Sequence, residues 1–262
     1  ALRLWTQSNF GEDLIFAARG GSLFFWDATD ALTTRAVLAS SESGASNVPT
    51  KVNTVLVSDN RFVFCFGTNP LGSGDLDPLL LRWSDQESFV NWTPSSANQA
   101  GDLRLSKGSE IITAIQARQE ILIWTDSALY ALQYVGAPAV WGAQTVGENL
   151  SIASSRAVAY ANGVAYWMGV GGFYRYDGRV QTLPCTVKRY IFNDFNTEQY
   201  EQVFAGTNEA FSEIWWFYCP SESTTLSRYV IYNYAQNIWY FGNISRTAWI
   251  DSGIRDFPLA AT

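Results

Sequence analysis

The chain has 262 residues, 47% of them hydrophobic and 15% aromatic, with only 16% charged. That is ample material for a packed core, and it excludes disorder as an overall state. The net charge of −7 comes without a Lys/Arg cluster of the kind that grips phosphates, and the lack of any histidine excludes Ser-His-Asp and Cys-His catalysis, His-based zinc sites and imidazole proton shuttles. The acidity fits an ordinary soluble surface, and it equally fits a channel wall that DNA slides past without sticking.

Chain order gives almost no helical periodicity; short alternating runs closed by turn residues dominate, which predicts strands. A first unit runs Leu14 to Ala18, turns at Arg19-Gly20-Gly21 and returns as Ser22 to Asp27. A second has Thr54 to Val57, a polar turn at Ser58-Asp59-Asn60, the apolar run Phe62-Val63-Phe64-Cys65-Phe66, a long loop and then Leu79 to Ser84. A third has Ile111 to Ala117, Ile121 to Thr125, a tight turn at Asp126-Ser127, and Ala128 to Leu132. In the fourth, Ala157 to Ala161 meets Val164 to Met168 across Asn162-Gly163, the dipeptide of type I′ hairpins, and Gly169 to Gly172 leads into Phe173 to Gly178. One short helix is expected in Lys188 to Gln199. The fifth unit has Gln202 to Ala205, Ile214 to Tyr218, Tyr229 to Tyr234 and Ile238 to Phe241.

Landmark strands recur roughly 50 residues apart, the spacing of propeller blades. The expected fold is therefore all-β and β-propeller-like with about five visible blade units, as one domain over residues 1–262; a β-sandwich or barrel is the alternative. Aromatic-rich strands, read as the outer ones, end in the polar residues Asp27, Ser84, Asp177 and Asn233, which suit turns at blade edges. The chain opens in strand-like sequence and closes at Pro258 to Thr262 without a tail, so both ends are expected to be cut from a longer chain. No apolar stretch reaches the roughly 18 residues of a transmembrane span, and no signal peptide is visible.

Three stretches are more specific than a generic propeller: Glu213-Ile214-Trp215-Trp216-Phe217-Tyr218-Cys219-Pro220 followed by Arg228 to Tyr234 and Trp239; Leu4-Trp5 with Asn9 to Ile15; and Arg82-Trp83-Ser84-Asp85 leading to Asn91-Trp92-Thr93-Pro94. Together they resemble the propeller proteins of bacteriophage tails, the nozzle or tail tubular proteins and related tail-hub and stabilisation proteins. The resemblance implies a non-enzymatic virion structural protein of the phage tail. It implies a homo-oligomeric ring, commonly a hexamer, that meets the portal, an adaptor and tail fibre or spike proteins while genomic DNA passes its lumen without sequence-specific binding. The residues suit such a part, because each buried large apolar side chain contributes roughly 1.5–3 kcal/mol to a rigid blade stack while loops stay free for contacts.

The sequence offers no catalytic, cofactor-binding or metal-binding residue and implies no cofactor. The rival is a carbohydrate-active or carbohydrate-binding propeller, which as a hydrolase needs paired carboxylates or an activated tyrosine. Asp59, Asp85, Asp126, Asp177 and Asp194 are available, but most follow strands at turns, where aspartate serves the backbone. Ser84 to Trp92 lacks the glycine and spacing of a sialidase Asp-box. Asp75 and Asp77 in a Gly-rich loop fall short of the six to eight oxygens calcium takes. Gly169 to Gly172 follows a strand without opening a helix or carrying a lysine, so it is a turn rather than a phosphate cradle. Cys65, Cys185 and Cys219 are odd in number and irregularly spaced, and they form neither a disulfide framework nor a zinc pattern. Asn91, Asn149 and Asn243 open glycosylation-type triplets that mean little without a secretory signal. Trp215, Trp239 and Trp249 are suited to stacking on sugars or bases, although packing is the commoner fate.

Overall fold

The computed structural model describes residues 3–253 and 255–262. The protein is all-β and propeller-like: five consecutive four-stranded antiparallel sheets, each ordered as in the sequence, followed by one two-stranded ribbon. None of the sheets closes into a barrel. The chain divides into two compact units, Ala1–Glu148 and Asn149–Thr262.

The first unit holds three sheets. The first contains β1 (Trp5–Phe10), β2 (Asp13–Ala18), β3 (Leu23–Trp26) and β4 (Val37–Leu38). The second contains β5 (Val52–Val57), β6 (Val63–Thr68), β7 (Asp77–Trp83) and β8 (Gly101–Arg104). The third contains β9 (Ile111–Gln116), β10 (Ile121–Thr125), β11 (Ala128–Gly136) and β12 (Val140–Glu148). The middle sheet explains why Phe62 to Phe66 is apolar throughout. Every residue of β6 is buried, with Val63 and Cys65 packed in a cluster with Ile15, Leu23 and Phe25 of the first sheet. Phe64 and Phe66, pointing the other way, join Ile121, Ile123 and Leu132 of the third. A strand covered on both faces loses the apolar-polar alternation of a half-solvated one.

The second unit holds two sheets and the ribbon. The fourth sheet contains β13 (Val158–Ala161), β14 (Val164–Met168), β15 (Phe173–Tyr176) and β16 (Val180–Leu183). The fifth contains β17 (Phe204–Asn208), β18 (Glu213–Tyr218), β19 (Arg228–Asn233) and β20 (Ile238–Asn243). A ribbon of β21 (Ala248–Ile250) and β22 (Leu259–Ala261) follows. Asn162 and Gly163 both have positive φ, +50° and +79°, as the type I′ turn between β13 and β14 demands. Along β18 the faces alternate. Trp216 meets Phe173 and Trp239, whereas Trp215 and Phe217 meet Trp249 of the ribbon. Gly206 makes that second contact possible, since a Cβ there would lie 2.4 Å from Trp249 Cδ1.

Two expectations need correction. The aromatic-rich strands that read as outermost are the third strands β3, β7, β15 and β19; a further strand lies outside each of them. Val37–Leu38 is short, and Gly101–Arg104 and Val180–Leu183 run four residues each, so these are specified by pairing with a neighbour more than by their own pattern; Ile238–Asn243, outside β19, is six residues long and aromatic. The helix expected over 188–199 is cut short. An α-helix, α1, covers Lys188–Asn193, and a separate 3-10 turn covers Thr197–Gln202. The side chain of Asn196 accepts from the Glu198 N–H and starts the second turn afresh.

Candidate functional site

Asp85, Asp126, Asp177 and Asp194 are each engaged locally, whereas Asp59 borders a recess that also carries Glu120. Asp85 accepts from the backbone N–H groups of Gln86 and Gln99 at 3.0 and 2.9 Å. Asp126 accepts from both the backbone N–H and the hydroxyl of Ser109. Partial burial raises the Asp126 pKa, but the Ser109 hydrogen bonds with the backbone donors around them more than offset this and hold it below its ordinary value. Asp194 pairs with Arg228 at 3.1 Å, and Asp177 lies 3.9 Å from Arg175. Asp77 pairs with Arg104 at 2.7 Å and accepts from the Leu79 N–H, so it is committed to its own hairpin; Asp75 stays in an exposed turn. Among the described residues no group of three or more His, Cys, Asp or Glu is placed to hold a metal ion.

The polar residues that end the third strands divide into two kinds. Asp27 and Asn233 close Asx turns: Asp27 accepts from the side chain and backbone of Thr29, which lower its pKa, and Asn233 accepts from the N–H groups of Ala235 and Gln236. Ser84 is fully buried and its hydroxyl accepts from the Val63 N–H, tying β7 to β6. Gly169 to Gly172 is the turn between β14 and β15, closed by the Gly169 N–H donating to the Gly172 carbonyl.

The three tryptophans find packing partners. Trp239 is buried and donates to the Pro184 carbonyl. Trp215 and Trp249 stack at 5.2 Å, donating to Glu213 and to the Thr207 carbonyl. All three cysteines are free thiols, and burial pushes Cys185 and Cys219 each up to about 11.

One charged residue has a role the sequence did not disclose. Arg82, on β7, is 2% exposed. It donates to the backbone carbonyls of Asn69, Asn47 and Trp92 and lies over the Trp92 ring. Burial lowers its pKa, and three carbonyls take the place of a carboxylate partner. The Arg82-to-Trp92 stretch is therefore a structural staple, gathering three loops of the first unit. Its only sequence signal was the arginine inside an otherwise apolar strand.

Two recesses stand out. In the first unit, a recess of about 270 Å³ is bordered by Asp59, Arg118, Glu120, Tyr134 and Trp141 and carries both signs of charge. In the second unit, a cavity of about 460 Å³ lies between the outer part of the fourth sheet and the β19–β20 hairpin. Arg175 and Gln181 face each other there across the β15–β16 pair, and Tyr232, Asn237 and Trp239 come from the opposite wall. Trp239 stood out in the sequence only as an aromatic suited to stacking, and Arg175, Gln181 and Asn237 carried no signal of a shared site.

No family model matches the sequence, and no curated protein matches it. Among solved structures the chain is similar to the extracellular domain of a one-component system from B. thetaiotaomicron, with 12% identity and a TM-score of 0.57 over 99% of this chain and 30% of that one. It is also similar to a fungal alcohol oxidase solved in complex with copper, with 10% identity and a TM-score of 0.56 over 94% of this chain and 55% of the oxidase. The chain spans less than two thirds of the length of either protein, and the likeness is one of fold. No helix among the described residues is long and apolar enough to cross a membrane.

Proposed function

We propose that the chain is a virion structural protein of a bacteriophage tail or head-to-tail machine. In this reading it has no catalytic role and assembles into a homo-oligomeric ring, a hexamer by the family resemblance, that conducts DNA. Portal, adaptor and tail fibre or spike proteins are its partners. The observation that carries the reading is the apolar surface left on strand edges while Asp27, Asp85 and Asp126 are tied into backbone hydrogen bonds at turns. On β20, the last strand of its sheet, Ile238, Tyr240 and Phe241 are all exposed, and the Tyr190 ring of α1 meets Phe241 at a tilt with centroids 4.4 Å apart. In the first unit Trp5, on the edge strand β1, is more than half exposed. Edge strands carrying aromatic rows are a liability in an isolated protein and an asset in a ring of identical copies.

Negative-stain electron microscopy together with native mass spectrometry tests this. Closed rings of one stoichiometry are expected. A protein that remains monomeric across the accessible concentration range overturns the proposal, as does measured turnover of a glycan substrate.

A further inference from the structure

We propose that the cavity at Arg175 in the second unit binds a carboxylated saccharide unit of the uronic-acid type. The inference is independent of ring formation. Its volume, about 460 Å³, falls in the span of roughly 300–1,000 Å³ typical of small-molecule sites. Its lining combines one cation, two amides, three hydroxyl groups and an apolar wall of Leu183, Pro184 and Trp239, with no carboxylate among them.

The internal hydrogen bonds decide which atoms remain for a ligand. Arg175 donates through Nε and Nη2 to Gln181 Oε1, at 2.8 and 2.6 Å. Its nearest carboxylate, on Asp177, is 3.9 Å away. Among the described residues Nη1 has no hydrogen-bond partner. Tyr232 donates to Asn237 Oδ1 at 2.6 Å. Both amide oxygens are thus consumed inside the protein, and the amide nitrogens of Gln181 and Asn237 are left as donors. The hydroxyls of Thr182 and Thr186 lie on exposed residues at the rim. The result is a donor-rich, locally cationic hollow in a protein whose net charge is −7.

A ligand matching this set must be rich in acceptor oxygens, carry a negative charge and offer one carbon-hydrogen face. A simple phosphate would use the guanidinium and leave the apolar wall bare. A neutral sugar would use the amides and the wall but leave the guanidinium facing hydroxyls. A pyranose with a ring carboxylate meets all three, because a guanidinium–carboxylate pair supplies charge-assisted hydrogen bonds while hydroxyls reach the amides and threonines.

Isothermal titration and saturation-transfer NMR with glucuronic acid, glucose and inorganic phosphate as the probes test the proposal. Glucuronic acid is expected to bind about tenfold or more tightly than glucose, and to lose about that factor in Arg175→Gln. Thr186→Asp, at an exposed rim position, places a repelling carboxylate at the mouth; it is expected to abolish the preference while leaving the circular dichroism spectrum unchanged. That variant decides the matter should Arg175→Gln fail to fold. Equal binding of glucose and glucuronic acid, displacement of the sugar by equimolar phosphate, an unchanged affinity in Thr186→Asp, or no binding at all would each overturn it.

Discussion

Arg82 and Arg175 occupy equivalent places, each on the third strand of a four-stranded meander, yet they meet opposite fates. In the first unit Arg82 lies beneath the loops around Asn47, Asn69 and Trp92, all of which turn carbonyls onto it. In the second unit Arg175 opens onto a cavity with a guanidinium nitrogen still unused. Both surroundings are aromatic. The first unit packs phenylalanine with leucine, isoleucine and valine and with Trp83, Trp92, Tyr130 and Trp141 in two clusters. In the second, Trp239 meets Phe173 and Tyr232 at tilted angles of 47° and 37° beside the cavity. Position in the repeat sets where a side chain emerges, and the cover laid over it decides whether it holds the fold or faces a ligand.

Arg82→Met is expected to cost about 3 kcal/mol or more, since several buried carbonyls lose a charged donor at once. Arg175→Met, half exposed, is expected to change stability by less than about 0.5 kcal/mol. Chemical denaturation of both variants measures the difference, and similar costs at the two positions would refute the contrast.

A smaller effect is expected where each unit seats a tryptophan on a glycine. A Cβ at Gly101 would approach Trp83 Cζ2 to 2.5 Å, as one at Gly206 would approach Trp249. Gly101→Ala and Gly206→Ala are each expected to cost about 1–3 kcal/mol by forcing the ring aside. The Gly206 variant should in addition change tryptophan fluorescence, through the Trp215–Trp249 stack. Thermal melts with intact ring fluorescence in both would show that the seats are looser than they look.

Tyr218 lies fully buried on β18 of the second unit. Among the described residues its buried hydroxyl has no hydrogen-bond partner, and burial raises its pKa. Tyr218→Phe is expected to be neutral or to stabilise by up to about 1 kcal/mol. A clear loss of stability would mean that the hydroxyl is satisfied after all.

The smallest effect is the acid response of Asp126. Its folded pKa lies below the ordinary value, so its stabilisation is present above the carboxylate range and lost as pH falls through the folded value. The stability gap between the protein and Asp126→Asn should narrow below about pH 4. A gap constant down to pH 2 would contradict the Ser109 pairing.

The inner strands were legible because their own residues demand burial. Phe62 to Phe66 and Ile121 to Thr125 are apolar on both faces, and Asn162-Gly163 dictates its turn. Strands β4, β8, β12 and β16 were not legible. Each pairs on one side only and borrows its register from a neighbour, as when Gly101 to Arg104 align with Leu80 to Trp83. Carboxylates at strand ends read as turn residues because backbone hydrogen bonding within a few residues is a local matter. The cavity could not be read in this way. Arg175 and Gln181 are close in the chain, but Tyr232, Asn237 and Trp239 reach them only through the packing of one sheet on the next. Sequence alone therefore determined the repeated β-meander and its hairpin turns, because strand periodicity and turn chemistry act over a few residues. Only the tertiary structure decided that Arg82 is buried on three carbonyls and Arg175 faces a cavity, because burial depends on what distant segments lay over each side chain.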